Sequence, residues 1–337
     1  MTQTIATQTR IEQLGAIANM LSAQAAFADY RAKIATNTRN RQDVDLAAFA
    51  EYLTDKGVTM GDLATDCDAW HGVTHGLVNG FQRELLGKGF AVSTINIKLC
   101  TIRKYCELAT VAGCIHPDTM ALIRGVHGDS RKQAKRLDAG REKTRIGHKK
   151  AESNVLTAEQ VKQIKAVCDV GTSQGRRDYV LIGLLADYGL RVGEVVALDT
   201  DAFNAADGTL TFYREKVDMV QTHQLANGVL STMRAYVAQD AQAGKRLMRA
   251  TVKGGQIVHA GISRFAIAQR IQWLGKKIGV RNLSPHDLRH SWATRAARNN
   301  TDSFALRDAG GWTSLAMPSR YVEAAKIANS GVKLGDE

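Results

Sequence analysis

Proline is scarce in this chain of 337 residues: there are 3, beside 30 glycines, which excludes collagen-like and proline-rich architectures. Cysteine is scarce too. Cys67, Cys100, Cys106, Cys114 and Cys168 are odd in number and scattered, with no CxxC pair. They read as reduced thiols of a cytoplasm, not as a disulfide framework. Long apolar runs are missing: the longest strongly apolar stretch, Tyr179 to Ala186, falls far short of the roughly 20 residues of a membrane helix. No charged n-region leads into an apolar h-region, so neither export nor a membrane partner is expected. There is no P-loop, no G-x-G-x-x-G fingerprint and no repeat of fixed period. Acidic residues are in deficit, 33 against 45 Lys+Arg, leaving a net charge of +12. That excess points to a polyanionic partner, of which nucleic acid is the commonest.

What is present describes a folded chain. Hydrophobic residues make up 44% and charged ones 23%, and the length suggests two domains. The positive charge is concentrated. Nine basic residues and two acids between Arg131 and Lys150 carry +7 of the +12. With few apolar residues and no helical stripe, this stretch reads as a basic linker or strap. Ahead of it, Leu46, Phe49 and Leu53 recur at helical spacing. A second helix is expected from about Trp70 to Leu86. A third carries Ile95, Leu99, Ile102 and Cys106 on one face. Four or five short helices make a small all-α domain over 1–130. After the linker, Thr157 and Gln160 form a capping box. A buried helix follows from about Arg177 to Tyr188, stopped by Gly189. Residues 208–225 alternate as a hairpin with a charged turn, and helices resume from Gly228 to the end.

Three segments carry chemistry. In Leu283-Ser284-Pro285-His286-Asp287-Leu288-Arg289-His290, Ser284 suits an N-cap and Pro285 the first helical position. His286 and Arg289 then share a face beside first-turn N–H groups, an arrangement suited to phosphate. In Tyr188-Gly189-Leu190-Arg191-Val192-Gly193-Glu194, Glu194 can brace Arg191 three residues away. The third segment is Ala309-Gly310-Gly311-Trp312-Thr313-Ser314, followed by Arg320-Tyr321. Taken singly, each has an ordinary reading: a capping histidine, a surface ion pair, core aromatic residues.

In chain order they give Arg191, Glu194, Lys216 in the hairpin, His286, Arg289, Trp312 and Tyr321. This set resembles the tyrosine recombinase (phage integrase) family. Trp312, where many members have His, looks like the Cre-type branch. The resemblance implies a mainly α fold with a small β-sheet or hairpin. It implies a two-domain DNA clamp: a helical core-binding domain at 1–130, a basic linker at 131–150 and a catalytic domain at 151–337. It implies site-specific strand exchange in the cytoplasm, on the nucleoid, by a homotetramer on two inverted-repeat sites of double-stranded DNA. The strands would pass through a 3′-phosphotyrosine and a Holliday junction, with no cofactor, metal or ATP.

The chemistry of the residues agrees with the roles so implied. Metal-free phosphodiester transfer needs a nucleophile, cations on the nonbridging oxygens and an acid for the leaving oxygen. Tyr321 would attack, and the planar forks of Arg191 and Arg289 would clamp the phosphate. Trp312 would donate its indole N–H. Lys216 would protonate the leaving 5′ oxygen, His286 would assist proton transfer, and Glu194 would orient Arg191. His290 reads as a supporting histidine. Pro318, three residues before Tyr321, is expected to break the helix that carries the nucleophile. The resemblance also implies that the apolar tail after Tyr321 docks into a neighbouring protomer.

For DNA contacts the candidates are Arg264 at a helix start, Asn96 and Arg103 opposite the apolar stripe, and Lys135, Arg136, Arg141 and Lys143 in the linker. Rival outcomes are telomere resolution, relaxation of supercoils, or sequence-specific DNA binding without catalysis. Cys67, His71 and His75 recur at i, i+4, i+8 and could hold zinc. Gly72 weakens that helix and no fourth ligand is evident, so solvated or packing residues are favoured there.

Overall fold

The computed structural model describes residues 2–142, 146, 153–242 and 244–325. The chain is mostly helical with small antiparallel sheets, and it forms two compact units, 1–151 and 152–337.

The first unit contains α1 (Thr2–Lys33), α2 (Thr36–Thr54), α3 (His75–Gly87), α4 (Val92–Val111), α5 (Pro117–Arg124) and α6 (Arg131–Ala139). The apolar stripe read from α4 forms the centre of its core: Ile95, Leu99, Ile102 and Cys106 are all buried. Phe49 and Tyr105 both stack against Trp70, with ring centroids 6.1 and 6.2 Å away. The helix expected from Trp70 starts only at His75. Residues Asp68–Trp70 instead close a short 3-10 turn, because Trp70 is buried and its indole donates to the carbonyl of Leu63 at 3.0 Å. The helices are not all short either. α1 runs 32 residues, and Ile11, Leu14 and Ile17 along it are exposed.

The basic stretch is not simply a linker. Ser130 and Gln133 form a reciprocal capping box that starts α6, and this local signal outweighs the missing apolar stripe. Residues 143–145 and 147–152 lie outside the described residues.

The cysteines also depart from expectation. Cys67 and Cys114 form a disulfide 47 residues apart, a separation that carries no pattern in the sequence. Cys106 and Cys168 are buried free thiols, both pushed up to about 12 by burial.

The second unit begins with α7 (Ala158–Ala166), capped by Thr157 and Gln160 as the sequence indicates. It continues through α8 (Ser173–Ala186) and α9 (Val192–Ala197) into β1 (Phe203–Asn204), β2 (Thr209–Arg214) and β3 (Met219–Gln224). These strands pair antiparallel in the order β1-β2-β3, with Arg214 opposite Met219 at the hairpin end. α10 (Asn227–Gln239) follows. Where unbroken helix is expected, a second hairpin intervenes, β4 (Arg249–Thr251) with β5 (Ile257–Gly261). Its strands are too short to show a clear alternation. The unit closes with α11 (Arg264–Lys277), α12 (Pro285–Arg298), α13 (Ser303–Gly310) and α14 (Ala316–Ala325). Pro318 does not break α14. It lies in the first turn, where its missing N–H would have had no helical acceptor.

Candidate active site

α8 ends just before Gly189, whose φ of 65° turns the chain into Arg191 at the N-cap of α9. Arg191 Nη1 donates to Glu194 Oε1 at 2.7 Å, and the Arg191 backbone N–H donates to Glu194 Oε2 at 2.7 Å. The brace expected between these residues is therefore present. Arg191 Nη2 also reaches the carbonyl of Gly311, 2.7 Å away.

Arg289 comes from α12, which begins where the sequence places it. Ser284 accepts from the Asp287 N–H while Asp287 accepts from the Ser284 N–H and hydroxyl. The Arg289 guanidinium is buried. It donates to the carbonyl of Gly189 and, at 2.6 Å, to that of Gly310. Burial, reinforced by Arg191 and Arg214 nearby, pushes its pKa down to about 9. The face shared by His286 and Arg289 is only partly realised. His286 is exposed on the first turn, whereas Arg289 points into the unit.

A third arginine completes the cluster. Arg214 is fully buried at the end of β2, donating to Glu194, to the carbonyls of Ala309 and Gly310, and to Gln221. Arg214 is absent from the set read from the sequence. The signal for its buried role lies in the period of the strand, since Leu210, Phe212 and Arg214 occupy one face. Arg214 also lowers the pKa of His223, which burial above all brings down to about 4, so that this ring is neutral at pH 7.

The guanidiniums meet the C-terminal end of α13, where uncapped carbonyls carry partial negative charge. Gly311 is in the left-handed region at φ 59°, and a Cβ there would stand 2.5 Å from Arg214 Cδ. Both facts favour glycine.

Tyr321 is on α14. Its ring lies against Trp312, with centroids 5.9 Å apart, and edge-on to His290, with centroids 5.1 Å apart. The carbon centre of the Arg289 guanidinium is 4.7 Å from the Trp312 ring centroid. Arg191, Glu194, Arg289, Trp312 and Tyr321 are thus gathered around residues 309–312. Burial pushes the Tyr321 phenol up and Arg289 acts in the opposite direction. Burial and the nearby His286 both hold His290 below its ordinary pKa. Lys216 is exposed in the 3-10 turn Glu215–Val217, two residues beyond Arg214.

A profile described as the phage integrase family matches residues 154–327. The chain belongs to that family, the tyrosine-type DNA recombinases. The tyrosine recombinase XerD of Staphylococcus aureus (strain Mu50 / ATCC 700699) is 23% identical over 297 residues, covering 87% of this chain and 90% of that protein. XerD of Neisseria meningitidis serogroup B is 25% identical over 185 residues, covering 53% and 61%. Among solved structures, the Tn1549 transposon integrase in complex with circular intermediate DNA has a TM-score of 0.60 at 14% identity, covering 89% of this chain and 94% of that one. A lambda integrase dimer bound to a core site has a TM-score of 0.58 at 14% identity, covering 87% and 96%. At such identities these structures speak to the fold.

The residues expected to touch DNA are placed as follows. Arg264 is exposed at the first position of α11. Asn96 donates to the Asp129 carbonyl at 2.8 Å and accepts from its N–H at 3.0 Å, so its amide clamps a loop. Arg103 is half-buried. Lys135 and Arg136 are exposed on α6. Arg141 donates to the carbonyls of Leu86 and Phe90 at 3.1 and 3.0 Å, which makes it an internal anchor. Lys143 lies outside the described residues.

Proposed function

We propose that this chain is a site-specific DNA recombinase that cuts with Tyr321. The observation that carries this reading is the packing of the Tyr321 ring against Trp312 and His290, with Arg289 over the Trp312 ring. Two other tyrosines of the second unit have different surroundings. Tyr213 is exposed and donates to Asp218, and the Tyr188 hydroxyl accepts from the Ala226 N–H.

In the proposed reaction the phenol oxygen of Tyr321 attacks the scissile phosphorus, giving a 3′-phosphotyrosine and a free 5′-hydroxyl. Arg191 and Arg289 hold the nonbridging oxygens, where developing charge is stabilised by fixed donors. Each keeps guanidinium N–H groups beyond those spent on carbonyls. Trp312 adds its indole N–H. His290 and His286 serve proton transfer near the phenol, and Lys216 protonates the departing oxygen. Glu194 and Arg214 act through Arg191 and the α13 end, positioning the cluster. The phosphotyrosine bond keeps the energy of the phosphodiester, so rejoining consumes no ATP. DNA-bound structural relatives support double-stranded DNA as the partner. Strand exchange through a Holliday junction, in a homotetramer on two inverted-repeat sites, belongs to the same proposal. So does the assignment of 1–130 to core binding, 131–150 to a basic strap and 151–337 to catalysis. Docking of the tail into a neighbouring protomer rests on the family resemblance, since residues 326–337 lie outside the described residues.

A suicide DNA substrate, nicked so that the cleaved fragment diffuses away, tests this reading. Wild type should accumulate an adduct that resists denaturant. Tyr321→Phe should bind the same DNA with the same affinity and form none. An adduct on Tyr321→Phe would overturn the assignment.

A further inference from the structure

The disulfide of the first unit lies beside two side chains for which a disulfide has no use. Asp68 opens the 3-10 turn that Trp70 pins to the core, and His71 closes it. His71 Nε2 stands 3.3 Å from Asp68 Oδ1. Cys114, in the turn after α4, has its Sγ 4.0 Å from the same oxygen. The ligand atoms of Asp68, His71 and Cys114 all lie within 4.8 Å of one another. Cys67 Sγ, bonded to Cys114, lies beside these three without belonging to their group, and becomes available as a fourth donor once the disulfide opens. His75 is not among them; it starts α3.

Two sulfurs, one imidazole nitrogen and one carboxylate oxygen are a donor set for zinc, which accepts all three atom types in a tetrahedron. With metal–ligand lengths of about 2.3 Å for sulfur and about 2.1 Å for nitrogen and oxygen, tetrahedral edges are about 3.4 Å for N···O and about 3.6 Å for S···O. The observed 3.3 and 4.0 Å straddle these values. Opening the disulfide lets the two sulfurs move apart to the sulfur–sulfur edge of about 3.8 Å. Both backbones are anchored independently of the bond. Trp70 fixes one side, and the Cys114 N–H donates to the Ala109 carbonyl at 2.8 Å on the other.

We propose that the reduced chain binds one Zn²⁺ through Cys67 Sγ, Asp68 Oδ1, His71 Nε2 and Cys114 Sγ, a closed structural site that replaces the disulfide. The conversion balances. A dithiol reductant gives two electrons and two protons to the disulfide and is itself oxidised to a cyclic disulfide. Zn²⁺ then binds the two thiolates, and their protons pass to solvent. The metal changes no oxidation state. The site lies in the first unit, and no step of strand transfer passes through it.

The test uses the full chain without DNA, so its result does not depend on the recombinase reading. Protein reduced with a dithiol and stripped by a chelator is titrated with Co²⁺, then Zn²⁺. One Co²⁺ per chain should bind, with a thiolate-to-metal charge-transfer band and the d–d bands of tetrahedral cobalt. One Zn²⁺ should bleach both. The oxidised chain should show neither band. Cys67→Ser and Cys114→Ser should lose the charge-transfer intensity. His71→Ala, at an exposed position that leaves the core intact, should weaken Co²⁺ binding roughly 100-fold or more, since even outer-shell losses cost about 10- to 100-fold. His75→Ala should change nothing. A folded, reduced chain whose thiols react freely and which shows no cobalt band at one equivalent would overturn the proposal and leave a simple disulfide. So would full cobalt binding by His71→Ala.

Discussion

The carboxylate of Glu194 receives the fully buried guanidinium of Arg214 through both oxygens, at 3.1 and 3.0 Å. Arg191 donates to the same carboxylate, so Glu194 has two tasks: it orients one arginine and neutralises another. Removing one partner of a buried ion pair strands the other charge, at a cost of about 3–5 kcal/mol. Glu194→Ala should therefore lower the unfolding free energy by that order in urea titrations. Glu194→Gln, which keeps the shape and the hydrogen-bond acceptor, should lose clearly less. Wild-type stability in Glu194→Ala would mean that the carbonyls of residues 309 and 310 hold Arg214 unaided.

The Lys216 assignment has a chemical signature. An alkoxide is a poor leaving group and needs a proton, whereas a bridging 5′ thiolate leaves without one. Lys216→Ala should cut ordinary DNA far more slowly, by about 10²–10⁴-fold. It should cut a substrate with 5′ bridging sulfur at nearly the wild-type rate. Arg191→Ala and Arg289→Ala should show no such rescue. Failure of sulfur to restore Lys216→Ala would move the acid elsewhere, with His286 next to test.

His223 gives the fold an acid limit. Its pKa falls from 6.5 to about 4 in the folded chain. The unfolded chain therefore binds the extra proton between those values. Stability from the neutral, buried ring is complete above pH 6.5 and drains as the pH falls toward 4. The loss should reach about 2–3 kcal/mol. His223→Gln should flatten this part of the stability profile relative to wild type. Parallel profiles for the two proteins between pH 6.5 and 4 would refute it.

The basic stretch should divide by function. Lys135 and Arg136 are exposed, so replacing both by Gln should flatten the dependence of log affinity on log salt by about 2, with little change in sequence preference. Arg141 holds the carbonyls of Leu86 and Phe90. Arg141→Gln should appear instead in thermal unfolding, with the salt slope kept. A changed slope for Arg141→Gln and none for the double variant would reverse the division.

Much of the catalytic half was legible because its signals are local. The capping box at Thr157, the N-cap at Ser284, the alternation of β2, and the three segments that carry Arg191 with Glu194, Arg289, and Trp312 with Tyr321 each sit within a short window. The features that escaped depend on distant partners. Arg214 is buried because carbonyls some 95 residues further on accept its hydrogen bonds. Asn96 clamps a loop 33 residues away, and Cys67 meets Cys114 across α3 and α4. Helix α6 is the opposite case: a local capping box was present and the charge density obscured it. Pro318 shows that position inside a helix decides whether proline is tolerated.

In the proposed reading, the arginine cluster also dates the moment at which the protein becomes able to cut. Arg191 and Gly311 are 120 residues apart, and Arg214 and Gly310 are 96 apart. A ribosome that has made the first two arginines has not yet made the carbonyls that hold them, nor the tyrosine beyond. Glu194 and Arg214 can meet early, but the cluster closes only when residues 309–321 arrive. In the proposed reading, a chain interrupted before that point carries basic residues able to contact DNA and none of the alignment needed to break it.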